Sequence, residues 1–268
     1  MPTVTSSDGT TIAYTSTGVG PGLILVPGAL TVAADFAPLA QALSDEFTVH
    51  VIERRGRGAS GPQGEDYAIT RECEDLRAVQ SATGAALVFG HSFGGLVALE
   101  AAIGDSGLLH VAVYEPGVSI HGSVPIGWAE RCRSELDAGR PFDAFVTFVR
   151  GMSPQSAGRL PRWILKAILR SAIRGSEREQ KLRLLRGTIR EHAEAARLDG
   201  TAERYRQIPA PTLLMSGRQG SGTARAAEAL AEVLPAARTE SLERCDHFAP
   251  EKNPELVAQH LKAAFADV

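Results

Sequence analysis

The sequence predicts an α/β fold in which a mostly parallel central sheet is flanked by helices and carries an inserted α-helical cap. Short apolar segments typical of buried strands alternate with helical segments in the first and last parts of the chain. Between them, over residues 116–208, helical periodicity dominates and no segment has the pattern of a strand. We therefore expect residues 1–116 and 208–268 to form the core, and residues 117–207 to form the cap.

The individual elements follow from local patterns. An Asp8-Gly9 turn signal separates two strands near the start, and a continuous apolar run at residues 22–26 indicates a strand buried on both faces. The predicted strands are residues 3–6, 11–14, 22–26, 47–52, 85–89, 108–114, 211–215 and 238–242. Helices are predicted near residues 34–43, 70–83, 95–102, 223–233 and 254–265. Within the cap, two apolar stripes at helical spacing, beginning near Phe142 and Ile164, predict two more helices.

Composition favours a protein that acts on small molecules. The chain has 268 residues, 44% of them hydrophobic, and a net charge of -3, which gives no general reason to bind nucleic acid or an anionic membrane. It lacks a signal-like start and any apolar run near the roughly 18 residues that span a membrane. We expect a cytoplasmic monomer or homodimer, and the high content of arginine, alanine and glycine suggests a bacterial source. Cys73, Cys132 and Cys245 are odd in number and widely spaced, which predicts free thiols.

The segment Gly90-His91-Ser92-Phe93-Gly94 carries the clearest signal for chemistry. It lies between a short apolar run and a helical run, which is the context of a G-x-S-x-G nucleophile elbow. In that turn the glycines let two backbone segments approach closely, and the serine hydroxyl is exposed. The first N–H groups of the following helix have no partner inside the helix and can stabilise an oxyanion. We expect Ser92 to be the nucleophile.

A serine hydroxyl needs a base, most often a histidine that a third group holds in place. Among the seven histidines, His247 is the best candidate because it follows the last predicted strand. Parallel strands end at one edge of the sheet, so a loop there can reach the elbow. His91 adjoins Ser92, but neighbours on a sharp turn point apart. We expect the others to be strand, cap or surface residues: His50, His110, His121, His192 and His260.

Several dispersed motifs in the correct order resemble the α/β-hydrolase superfamily, and the likeness covers nearly the whole chain apart from the cap. The motifs are Pro27-Gly28-Ala29-Leu30, Glu53-Arg54-Arg55-Gly56-Arg57-Gly58-Ala59-Ser60, the elbow, Tyr114-Glu115-Pro116, residues 211–217 and His247. The resemblance implies an oxyanion hole made by the backbone N–H groups of Ala29 and Phe93. Family members usually carry His-Gly where this chain has Pro27-Gly28, and a backbone donor tolerates that change.

The resemblance also implies a triad acid, which in most relatives follows the strand at residues 211–215. Residues 216–223 contain no carboxylate here. Some members of the superfamily place the acid one strand earlier, where Glu115 lies, and a glutamate is long enough to reach the distant ring nitrogen. We assign Glu115 as the orienting acid. The alternatives are a structural role for Glu115, with Asp246 or, more remotely, Asp199 as the acid.

Arginines raise a separate hypothesis about anions. The loop at residues 53–60 is usually a scaffold in the superfamily, so we interpret Arg54, Arg55 and Arg57 as structural. Residues 150–206 contain 14 Lys or Arg and 6 Asp or Glu, a balance of +8. This predicts a solvated or salt-bridged helix face, or one or two arginines that bind a substrate carboxylate or phosphate. Cap aromatics either form the cap core or line a pocket: Trp128, Phe142, Phe145, Phe148 and Trp163.

These residues predict a serine hydrolase that cleaves a small carboxylic ester, lactone or thioester through an acyl-enzyme on Ser92. His247 is the expected base, and the reaction needs no metal or organic cofactor. The superfamily resemblance allows a C–C bond hydrolase, an acyltransferase or a cyclase with the same site. The missing carboxylate near Gly220 allows a third hypothesis, a ligand-binding protein without activity.

Overall fold

Eight strands form one sheet in the computed structural model, which describes residues 1–217 and 222–266, without the side chains of residues 222–225. The sheet order is β1-β2-β4-β3-β5-β6-β7-β8. The β1–β2 and β2–β4 pairs are antiparallel, and all other neighbours are parallel. The strands are β1 (Thr3–Thr5), β2 (Thr11–Thr17), β3 (Gly22–Val26), β4 (Thr48–Glu53), β5 (Leu87–His91), β6 (His110–Tyr114), β7 (Thr212–Ser216) and β8 (Ala237–Ser241).

Helices cover both faces of the sheet. They are α1 (Ala37–Leu43), α2 (Ile69–Thr83), α3 (Phe93–Ala102), α4 (Ala129–Asp137), α5 (Pro141–Met152), α6 (Arg162–Ala172), α7 (Gly175–Arg197), α8 (Gly222–Val233), α9 (Ala249–Lys252) and α10 (Pro254–Ala264). Three short 3-10 turns occupy Ala33–Phe36, Ala157–Arg159 and Ala202–Gln207. The predicted fold class, a mostly parallel sheet flanked by helices, is confirmed.

Two apolar clusters lie on opposite faces of the sheet because successive strand residues point to opposite sides. Ile24 and Val88 belong to the cluster that includes residues of α2, α3 and α8. Leu25 and Phe89 belong to the cluster that includes residues of α1 and α10. The central strands are thus buried on both faces, which explains their continuous apolar runs.

The helices α4 to α7, called the cap helices below, follow β6 and precede β7. No strand lies between Tyr114 and Thr212, a stretch that the structure describes throughout. Trp128, just before α4, forms a third cluster with Phe145 and other apolar side chains of these helices, and the cluster also contains Leu30, in the loop after β3. The cap helices therefore pack against that loop. The division of the chain into core and cap at residues 117–207 remains a prediction.

Some details differ from the sequence predictions. β5 begins two residues later than expected, because its ladder with β3 starts at the pair Leu23 and Leu87. The segment predicted as one amphipathic helix near residues 34–43 divides into a 3-10 turn and α1. Trp163 is 73% exposed, so its placement in the cap core or a pocket was wrong. Leu165, two positions later on α6, takes the buried face, which Trp163 cannot share at helical spacing.

Two further expectations concern thiols and membranes. The three cysteines, Cys73, Cys132 and Cys245, are free, as predicted, and all three are buried. Within residues 1–217 and 222–266, no helix combines the length and the apolar character that crossing a bilayer would require.

Candidate active site

Ser92 occupies a strained turn between β5 and α3. Its backbone has φ 52° and ψ -120°, a conformation that residues other than glycine rarely adopt. The flanking glycines make room for the turn, since a Cβ at Gly90 would overlap the Gly94 carbonyl oxygen and one at Gly94 would overlap that of Val26. The five-residue motif therefore forms the predicted strand, turn and helix, with the serine at its apex.

His247 lies in the loop after β8 and connects the serine to a carboxylate. Its Nε2 is 3.1 Å from Ser92 Oγ, and its Nδ1 is 2.7 Å from Glu115 Oε2. An ionised carboxylate only accepts hydrogen bonds, so Nδ1 carries the ring proton of neutral His247 and donates it. Nε2 then presents its lone pair to the Ser92 hydroxyl. The three residues predicted as a triad thus lie in one hydrogen-bonded line.

Glu115 directly follows β6 in a positive-φ conformation of 44° and is buried. Its second oxygen, Oε1, accepts the Gly217 N–H at 3.0 Å. Because β6 and β7 are parallel neighbours, the carboxylate lies beside the loop after β7, where most superfamily members carry their acid. A Cβ at Gly217 would lie 2.6 Å from the Cys245 carbonyl oxygen, so a side chain there has no room. Residues 218–221, which lack a carboxylate, lie outside the described residues.

The alternative acids are held elsewhere. Asp246 forms an ion pair with Lys252 at 2.8 Å, although it is the sequence neighbour of His247. Asp199 accepts the Ser119 hydroxyl at 2.6 Å and the Gly122 N–H at 2.9 Å. The geometry therefore favours Glu115 over both as the partner of the His247 ring.

Ala29 follows Gly28 in the loop next to the elbow, and Phe93 directly follows Ser92. A Cβ added to Gly28 would be 3.1 Å from Ser92 Cβ, so the loop after β3 touches the elbow. Phe93 is the first residue of α3, whose first N–H groups have no partner inside the helix. In the part of the chain that the structure describes, neither N–H has a hydrogen-bond acceptor. The assignment of these two N–H groups to an oxyanion hole remains a prediction.

Arg54 fixes the loop that carries Ala29. Its Nη1 donates to the Gly28 carbonyl at 3.1 Å, and its guanidinium lies 4.7 Å from the centre of the Phe93 ring. The rest of the guanidinium forms a bidentate pair with Glu72, at 2.7 and 3.0 Å. Burial acts to raise the pKa of Glu72, but Arg54 outweighs it and holds that pKa below its usual value. These contacts favour the structural interpretation of Arg54.

Arg55 and Arg57 are also buried, with different partners. Arg55 forms a bidentate pair with Asp75, at 2.7 Å for both bonds. Arg57 Nη2 donates to Glu191 Oε1 of α7 at 2.8 Å, and the same oxygen lies 3.1 Å from Arg54 Nη2. Arg57 Nε and Nη1 have no partner among the described residues, and burial followed by Arg54 lowers the pKa of Arg57. Glu191 thus connects a cap helix to the core.

Other cap arginines line a groove beside the 55–63 loop. Its volume is about 1020 Å³, and Arg183, Arg186 and Arg190 of α7 are among its lining residues. Neither Ser92 nor His247 lines it. Recognition of a substrate carboxylate or phosphate by a cap arginine therefore remains a prediction.

Sequence reasoning missed one contact behind the catalytic candidates. The Nε2 of His91 lies 2.7 Å from the main-chain oxygen of His247. Its other ring nitrogen faces Glu251 on α9, at 3.6 Å from Oε1. His91 is 156 positions from His247 in the sequence, and no sequence pattern indicates this contact.

A parallel sheet with a serine elbow, and a histidine loop that returns to it, defines the class of α/β-hydrolase folds. A sequence model described as the alpha/beta hydrolase family matches residues 23–260. The solved structure of an alpha/beta hydrolase from Sphaerobacter thermophilus is 33% identical, with a TM-score of 0.80, over 97% of this chain and 100% of that one. The chain therefore belongs to the alpha/beta hydrolase family, and the predicted resemblance is confirmed.

Curated relatives match shorter stretches. A pimeloyl-[acyl-carrier protein] methyl ester esterase of Stenotrophomonas maltophilia is 42% identical over 86 residues, 32% of each chain. A protein of the same name from Xanthomonas campestris is 29% identical over 180 residues, which is 67% of this chain and 64% of that one. The matches thus span less than two thirds of these relatives.

Proposed function

We propose that the protein is a serine hydrolase that cleaves a small carboxylic ester, lactone or thioester. The observation that carries this proposal is the line from Ser92 Oγ to His247 Nε2 at 3.1 Å and from His247 Nδ1 to Glu115 at 2.7 Å. A general base in hydrogen-bond contact with a hydroxyl, itself oriented by a buried carboxylate, activates that hydroxyl as a nucleophile.

In the proposed reaction, His247 Nε2 takes the Ser92 proton as Oγ attacks the acyl carbon. The N–H groups of Ala29 and Phe93 bind the oxyanion of the tetrahedral intermediate. When the carbon–oxygen or carbon–sulfur bond breaks, Nε2–H gives its proton to the leaving group, which leaves an acyl-enzyme. Water then repeats the sequence with His247 as base, and releases the acid and the free serine. Glu115 stabilises the imidazolium in both halves.

The comparisons support ester cleavage in a general way. Relatives from Stenotrophomonas and Xanthomonas are named as methyl ester esterases. The matches cover only part of those relatives, 32% and 64% of their lengths. The pimeloyl group and acyl-carrier protein in their names are therefore one substrate to test among others. The hypothesis of a ligand-binding protein without activity was based on the missing carboxylate after β7. The contact between Glu115 and His247 favours the hydrolase instead, because Glu115 offers a carboxylate to the His247 ring.

The test is hydrolysis of activated esters that differ in acyl length and charge. Ser92→Ala and His247→Ala should each lower kcat/KM by at least about 10³-fold without unfolding the protein. Ser81→Ala, at an exposed position of α2, is the matched control and should leave kcat/KM unchanged. Ordinary turnover by a folded Ser92→Ala protein would refute the mechanism.

Two further readouts separate the related hypotheses. A fluorophosphonate probe should add its mass to the peptide that contains Ser92, and an inert serine would favour a ligand-binding protein instead. Product analysis with an added alcohol or amine distinguishes hydrolysis from acyl transfer, because a transferase forms the new ester or amide in place of the free acid.

A further inference from the structure

His91 supports the loop that carries the candidate base. Its ring centre is 4.9 Å from that of His247, and its Nε2 lies 2.7 Å from the His247 main-chain oxygen. A carbonyl oxygen only accepts, so Nε2 of His91 carries the proton. Burial, together with the neighbouring His247 ring, holds the pKa of His91 well below its usual value. The ring is therefore neutral, and its Nδ1 presents a lone pair.

That lone pair faces the carboxyl group of Glu251. Nδ1 and Glu251 Oε1 are 3.6 Å apart, both are closed off from solvent, and neither has a hydrogen-bond partner among the described residues. An ionised carboxylate offers only lone pairs, so two buried acceptors would face each other at a cost in free energy. A protonated carboxyl removes the conflict, since its O–H donates to Nδ1. The separation exceeds a normal hydrogen bond by about 0.6 Å, so the proposed contact requires the two side chains to move closer together.

The surroundings of Glu251 place its ionisation near neutral pH. Burial raises the pKa of Glu251 to about 7, and the Asp35 carboxylate acts in the same direction. Three groups oppose this shift by favouring the ionised form: His247, Lys181 and Lys252. Below about pH 7 the carboxyl therefore carries the proton that His91 requires, and above it the proton is lost.

We propose that Glu251 is a positioning residue of this active site: its carboxyl O–H donates to His91 Nδ1, and His91 Nε2–H holds the main-chain carbonyl of His247. Glu251 touches neither the serine nor the acyl group, so it acts through His91. Ionisation of Glu251 releases the His91 ring, and the His247 ring then loses its fixed distance to Ser92. The inference rests on the proposed function, in which His247 is the base.

The experiment compares kcat and KM from pH 5.5 to 8.5 in three variants. Glu251→Gln keeps an N–H donor at every pH, Glu251→Leu removes the donor, and Glu255→Gln is the control at an exposed position of α10. The ratio of kcat for Glu251→Gln to that of the native protein should be near 1 at pH 5.5 and rise about tenfold by pH 8.5. Relative to the native protein, Glu251→Leu should lower kcat about tenfold at pH 5.5 and approach the native kcat at pH 8.5, where the native carboxyl has lost its proton, with KM within about twofold.

The control should follow the native profile. A ratio that stays flat with pH, or a Glu255→Gln profile that reproduces the rise, overturns the proposal. His91→Gln keeps a donor for the His247 carbonyl but no acceptor ring for Glu251, so the effect of Glu251→Gln should disappear in that background.

Imidazole ¹⁵N NMR tests the same contact without turnover. The His91 Nδ1 signal should shift with a midpoint near pH 7 in the native protein and stay constant in Glu251→Gln. An Nδ1-protonated tautomer, or a signal independent of pH in both proteins, would contradict the proposed hydrogen bond. If no protein hydrolyses any ester, the proposed function fails, and the NMR titration still decides the role of Glu251.

Discussion

Replacing Glu191 by Gln should destabilise the protein by about 3 kcal/mol. Glu191 Oε1 lies 2.8 Å from Arg57 Nη2 and 3.1 Å from Arg54 Nη2, and all three side chains are buried. Removing one partner of a buried ion pair costs roughly 3–5 kcal/mol, because the remaining charge stays desolvated. Arg54 keeps its bidentate pair with Glu72, so the loss falls mainly on Arg57, and we expect the lower end of that range.

Urea unfolding, followed by circular dichroism, measures this loss as a lower midpoint with an unchanged m value. Glu179→Gln, at an exposed position on the same helix, should change stability by less than about 0.5 kcal/mol. The double variant Arg57→Met, Glu191→Gln should recover at least half of the loss, since it removes the unpaired cation. If Glu191→Gln stays within about 0.5 kcal/mol of the native protein, or the double variant recovers nothing, the buried-charge explanation is wrong.

Two other predictions concern the active site. Glu115→Gln should lower kcat about 10⁴-fold in ester hydrolysis while circular dichroism shows an intact fold, because the amide no longer holds the His247 tautomer; a loss below tenfold would point to another acid. The pKa of Glu251 is raised from 4.5 to about 7, so the folded protein retains a proton that the unfolded chain releases, and stability falls as pH rises between these values. The loss should reach about 3 kcal/mol above pH 7 in urea unfolding. It should be absent in Glu251→Gln, and parallel pH curves for the two proteins would contradict it.

Residues at one edge of the sheet were predictable because local pattern and topology agree there. The elbow is a contiguous strand, turn and helix, so Ser92 could be located from neighbouring residues. Parallel strands end at a common edge, which indicated that the loop of His247 returns to it. The assignment of Glu115 as the acid needed more than the local pattern, since the sequence contains several candidate carboxylates. The resemblance to the superfamily reduced the number of candidate acids. The parallel pairing of β6 with β7 explains how the Glu115 side chain reaches the His247 ring.

Contacts between distant side chains were not predictable. Arg57 and Glu191 are 134 positions apart, and their pairing depends on how α7 packs on the core. The contact between His91 and Glu251 has the same origin: each lies on a different element, and no periodicity connects them. Trp163 shows the converse, because an aromatic residue in a helix carries no signal of which face the neighbouring helices cover.

Arg54 connects the loop after β3 to a cap helix. The Arg54 guanidinium donates to the Gly28 carbonyl, next to Ala29, and also contacts Glu191 of α7. An insertion between β6 and β7 that lacked an acceptor at the position of Glu191 would leave the buried guanidinium of Arg57 unpaired, while Arg54 would keep its pair with Glu72. A replacement cap must therefore match a buried charge of the core as well as its apolar surface.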